Sequence, residues 1–198
     1  MSNTTFPLID IKSDDETRQI YVKNIIAVYE STTADQLARG RAWYQTAHDL
    51  ALMISGGNIQ AGAGVIAALS ANKRWADNVK LATRAFVAGK ATGHVGDALR
   101  KATRIMAGES PENVLPMDSK TGHFYRCIVN PTDSDAICLD RHAHDIAVGT
   151  RYGDHERGLS SKGRYALLAS IYREAATRLG ELPQVVQAVT WVAWIESR

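Results

Sequence analysis

Apolar residues recur every three to four positions along almost the whole chain, and the runs end at glycines, a spacing that builds amphipathic helices and leaves little room for a sheet. Thr32 and Thr33 offer caps, Asp35 follows, and Leu37, Tyr44, Ala47, Ala51 and Ile54 keep the period until Gly56 and Gly57 stop it. Residues 15–29, with Ile20, Ile25, Ile26 and Val28 on a broad apolar face, predict a helix before that one. Asn58 is expected to cap a buried helix over 59–69, whose small residues Ala61, Gly62, Ala63, Gly64, Ala67 and Ala68 let neighbours approach closely. After a bend at 70–74, Trp75, Val79, Ala82 and Phe86 line a helix that Gly89 ends. Further helices are expected over 97–106, over 141–148, over 162–179 and from Pro183 to near the C-terminus, Pro being suited to a first helical position. Residues 109–116 read as a loop, and 135–139 is the one apolar run short enough for a strand. The expected class is all-α, with about eight helices, no internal repeat and no low-complexity segment.

With 198 residues and 45% hydrophobic content, the chain can bury a sizeable core. The expected organisation is an N-terminal tail over 1–14 and a single helical domain over 15–198, or two lobes around one cleft. A net charge of +2 is far from the excess that marks a non-specific nucleic-acid binder, although a local basic face remains open. Cys127 and Cys138 are too few for a four-thiolate iron-sulfur cluster and fit a reducing compartment better than a disulfide scaffold. No stretch approaches the roughly eighteen apolar residues of a membrane span, and MSNTTFPLIDIKSDDE lacks a basic start followed by an apolar core. The expected location is cytoplasmic.

Chemistry is expected between residues 119 and 150, SKTGHFYRCIVNPTDSDAICLDRHAHDIAVGT, where an apolar run delivers Asp140 to the mouth of a helix. A carboxylate about 3.5 Å from a developing cation, at an effective dielectric near 20, is worth on the order of 5 kcal/mol. The same group could orient a water or amine as general base, and it could cap the helix; these roles are compatible. Lys120 would sit near the positive end of a helix, where burial would favour a neutral, nucleophilic amine; contact with phosphate and simple solvation are the other readings. Asp140 and His144 share a helix face while His142 pairs better with Asp145, which falls short of the three ligands of a catalytic zinc, so no metal is expected. Gly62-x-Gly64 follows a helical run rather than a strand and reads as close packing, not as a dinucleotide loop. Ser70, Asn72, Lys73, Arg74, Trp75 and Asn78 form a polar, aromatic-bearing bend in which Trp75 reads as a core residue and Asn72 as the better candidate for a polar contact. Arg100, Lys101 and Arg104 cluster on one helix, and Arg141, Arg151, Arg157, Lys162 and Arg164 gather around the suspected site, either to hold phosphate or as a solvated face. Residues 152–161, rich in glycine and charge, read as a mobile loop able to close over substrate.

The arrangement resembles the helix-hairpin-helix DNA glycosylase superfamily, of the endonuclease III type, over roughly residues 60–151. Lys120 and Thr121 fall on the lysine position of its bifunctional members, and Leu139, Asp140, Arg141 and His142 fall on its Asp-x-His stretch. Residues 64–86, GVIAALSANKRWADNVKLATRAF, look like its early core helix, Leu-Ser bend and following helix. Val114, Leu115, Pro116, Met117 and Asp118 stand where the hairpin's Gly-x-Gly would be, a shortened pattern similar to a divergent bacteriophage branch that includes thymidine pyrophosphorylases. The resemblance implies a glycosylase-like fold with a degenerate hairpin and an enzyme acting on a base in DNA without a cofactor. Asp140 and Lys120 would be catalytic, and His142, Asn72, Trp75, Tyr125, Arg141, His144 and Arg151 would bind substrate. Pyrophosphorylase or amine-transfer chemistry in thymidine hypermodification, or a non-catalytic module binding DNA or protein, would also fit.

Overall fold

The computed structural model describes residues 8–197; part of the expected tail, 1–7, lies outside the described residues. The protein is all-α, with no strand among the described residues and ten helices rather than about eight. They are α1 (Asp15–Glu30), α2 (Ala34–Ile54), α3 (Ile59–Ala68), α4 (Trp75–Ala88), α5 (Gly96–Met106), α6 (Pro111–Val114), α7 (Lys120–Val129), α8 (Arg141–Val148), α9 (Lys162–Leu179) and α10 (Pro183–Glu196). The stretch expected as a loop over 109–116 contains the single turn α6, started by Pro111 at a position where a missing N–H costs nothing. Residues 135–139 form no strand.

The ends of these helices are written locally. Asp14 accepts from the Thr17 amide at 2.8 Å to open α1. Thr33 and Gln36 exchange side-chain and backbone hydrogen bonds at 3.0 and 3.2 Å ahead of α2, a reciprocal capping box. Asn58 accepts from Ala61 to open α3. Gly89, Gly149 and Gly180 close α4, α8 and α9 in the left-handed conformation that glycine adopts without strain.

The chain divides into two compact units, one made of residues up to Trp43 together with those from Ile137 onward, the other of Tyr44–Ala136. In the first, α1, α8, α9 and α10 pack on one another around Ile9, Val22, Ile25, Ile137, Leu139, Ile146, Leu168, Tyr172 and Val189. The start of α2 lies directly on α10, since a Cβ on Gly40 would stand 2.5 Å from the Val189 Cα. In the second unit the buried helix α3 is surrounded by α4, α5, α6 and α7. Gly62 and Gly64 serve that packing: a Cβ on Gly62 would fall 2.2 Å from the Ala51 carbonyl oxygen, and one on Gly64 would fall 2.8 Å from Pro111. Gly62→Ala therefore forces two backbones apart. The expected outcome is a loss of about 1–3 kcal/mol in denaturant titration, despite alanine's better helix propensity. An unchanged or raised midpoint would show that this contact is not close-packed.

Candidate functional site

Asp140 is placed by the segment before it and the helix after it. Residues Ile137, Cys138 and Leu139 are buried and lie outside any helix, so their backbone polar groups need partners from elsewhere in the chain. The Tyr165 hydroxyl supplies two of them, donating to the Ile137 carbonyl at 2.8 Å and accepting from the Leu139 amide at 3.1 Å. Asp140 then caps α8, its Oδ1 accepting from the amides of His142 at 2.9 Å and Ala143 at 3.0 Å. The cap uses Oδ1 alone, and the half-buried carboxylate keeps Oδ2 outside it. A carboxylate fixed by one oxygen at a helix N-terminus is already oriented, with its charge held where it could meet a developing cation.

The other residues expected to act with Asp140 divide between the two units: Arg141, His142, His144 and Arg151 belong to its own unit, and Asn72, Trp75, Lys120 and Tyr125 to the other. His142 is half-buried. Arg141 is exposed and meets the fully exposed Asp154 at 3.6 Å, a loose pairing that water screens and that leaves its guanidinium available. Arg151 is committed elsewhere: its guanidinium lies 4.0 Å over the Trp194 ring and donates to the Trp194 carbonyl and, at 2.8 Å, to Ser197, tying the end of α10.

His144 is fully buried, and its position beside Asp140 on the helix is not a substrate position. The Ile9 amide donates to Nε2 at 3.3 Å, which makes Nε2 the bare nitrogen, and Nδ1 then donates to Asp145 at 3.3 Å. Asp145 thus pairs with His144, not with His142. Its carboxylate is gripped in two places by Arg157, at 2.9 and 2.7 Å, and also accepts from the Tyr152 amide at 3.1 Å. Burial alone would raise the Asp145 carboxyl, but Arg157, the Tyr152 amide and His144 overcome it and hold the group below the usual carboxylate range. The loop expected to be mobile over 152–161 is anchored by the same contacts, because Tyr152 and Arg157 are both buried and only 153–156 stand exposed between them. Nothing in the sequence spacing of Asp145 and Arg157 marks either as buried.

Burial, the largest influence, pushes the His144 imidazole below its ordinary value; Asp145 opposes, while Arg157 and Arg164 add to the depression. The unfolded chain therefore takes up a proton at this residue before the folded one does. The stability His144 contributes is complete above about pH 6.5 and is lost as pH falls from there through the lowered folded value. Urea midpoints are expected to drop between pH 7.5 and 5.5, with a smaller drop in His144→Gln; equal drops in both proteins would assign the effect to other groups.

In the second unit Asn72 is exposed and stands in the left-handed region with φ 54°, where asparagine is better tolerated than most residues; it shapes the turn from α3 to α4. Trp75, half-buried at the start of α4, meets Phe124 edge to face with centroids 6.4 Å apart. Tyr125 is buried, and its hydroxyl donates to Glu112 rather than facing solvent; burial first, then Glu112, pushes that hydroxyl above the usual phenol range. Lys120 opens α7 and is exposed, a position from which its side chain can reach a phosphate.

No group of three or more His, Cys, Asp or Glu able to hold a metal occurs among the described residues. No single described helix is long and apolar enough to cross a membrane. Residues 8–198 match the family described as Family of unknown function (DUF7178), and the chain belongs to that family. No curated protein and no solved structure matches it.

Proposed function

We propose that this DUF7178 chain is a DNA glycosylase-like enzyme acting on a base in DNA, with Asp140 stabilising the sugar cation formed as the base departs. The observation that carries this reading is the Asp140 carboxylate itself, fixed through Oδ1 by two amides at a helix N-terminus, with Oδ2 outside the cap. In such a reaction the bond between the sugar C1′ and the base breaks, and its electron pair leaves with the base. Positive charge spreads over C1′ and the ring oxygen, where a held carboxylate lowers the barrier more than it stabilises the neutral substrate. Water then adds to C1′ and releases a proton, which the base anion or the carboxylate can accept. Exposed Arg141, the residue after Asp140, suits contact with a backbone phosphate, in keeping with the resemblance of 119–150 to the helix-hairpin-helix glycosylases.

The test is mass spectrometry of nucleosides and free bases after incubation with normal, uracil-bearing, hydroxymethyluracil-bearing and pyrophosphorylated phage-type DNA. A free base is expected from at least one of them and would name the target. A mass-shifted thymidine without base release would replace excision by base modification, and silence across the panel would count for a binding module.

A further inference from the structure

Two tyrosines of α9 touch the chain on either side of Asp140. Tyr165 and Tyr172 stand seven residues apart, two helical turns, which puts both on one face about 10 Å apart along the axis. Tyr165 holds the approach: its one hydroxyl bonds both the Ile137 carbonyl and the Leu139 amide, the latter belonging to the residue just before the carboxylate. Tyr172 holds the exit, donating at 3.2 Å to the carbonyl of Ala143, whose amide is one of the two on Asp140 Oδ1. Both rings are buried beside Leu168, Ile171 and Ala175, so the helix carrying them is anchored in the core of its unit. Burial pushes the Tyr172 hydroxyl well above the usual phenol range, and nearby Asp140 adds to the rise against an opposing contact with Thr190. The group therefore remains a hydrogen-bond donor at neutral pH.

We propose that Tyr165 and Tyr172 are positioning residues, a two-point clamp through which α9 sets where the Asp140 carboxylate stands. The clamp rests on the reading of Asp140 as the acting group. Neither hydroxyl touches Asp140 itself; each fixes the backbone that carries it, so the effect should fall on turnover rather than on substrate affinity.

Tyr165→Phe and Tyr172→Phe keep the rings and remove the hydroxyls. Tyr29→Phe, which breaks a bond to Glu181 in the same unit, is the control. Hydrogen exchange at the His142 and Ala143 amides, read by NMR on the whole chain, should quicken in Tyr172→Phe and stay unchanged in the control. On the DNA that releases a base, kcat per folded molecule should fall on the order of ten- to a hundredfold in either variant, with KM unchanged, as a misplacement near 1 Å would give. Should one variant fold poorly, the other still decides. Wild-type exchange and wild-type kcat in a folded variant, with Asp140 itself essential, would overturn the clamp alone. Base release untouched by Asp140→Asn would instead overturn the reading beneath it.

Discussion

Asp140→Asn should abolish most base release while leaving the fold intact. Asparagine caps helices as well as aspartate does, and its side-chain oxygen can accept the same two bonds from His142 and Ala143. What the substitution removes is the negative charge. If that charge meets a sugar cation at about 3.5 Å and an effective dielectric near 20, roughly 5 kcal/mol of transition-state stabilisation disappears, a rate loss of about a thousandfold or more. Substrate affinity should change little, since the unreacted sugar is neutral at that position. Asp140→Ala removes cap and charge together and should cost about 1 kcal/mol of stability besides. The measurement is single-turnover release of base by both variants, with circular dichroism to confirm folding. Wild-type rates in Asp140→Asn would reduce Asp140 to a structural cap.

Asp145→Ala should be among the most destabilising single changes in the protein, by about 3–5 kcal/mol. Asp145 and Arg157 are 3% and 4% exposed, and the carboxylate also serves the Tyr152 amide and His144. Truncation leaves a buried guanidinium without its counter-charge and two further donors without an acceptor. Against a total stability that is ordinarily about 5–15 kcal/mol, that loss would leave the unit marginal at 37 °C. Arg39→Ala, which breaks surface pairs with Asp35 and Glu196, should cost far less because water screens both partners. Urea denaturation of the two variants makes the comparison, and similar losses would mean that the buried pair is no stronger than an exposed one.

The cap at Asp140 is legible in the sequence because it is local. A capping carboxylate acts on amides two and three residues ahead, and the apolar run before it and Gly149 after it mark the helix limits. The helical class and nearly every helix end follow for the same reason, since periodic burial and capping are settled within a few residues. The small residues of α3 likewise announced close packing, although not that Ala51 and Pro111 would be the partners.

Tertiary structure decided the fate of the polar side chains. From the sequence His144 is expected at a substrate and Asp145 beside His142. They are core groups because Ile9, 135 residues earlier, donates to one and Arg157 neutralises the other. Tyr125 and Arg151, expected at a substrate, are spent on Glu112 and on Trp194 with Ser197. Tyr165 gave no sign of holding the segment ahead of Asp140, since its partners Ile137 and Leu139 lie 28 and 26 residues away. Local sequence fixes hydrogen bonds that close within one helical turn. Whether a charge is buried, and what answers it, depends on which distant segments the packed core brings beside it.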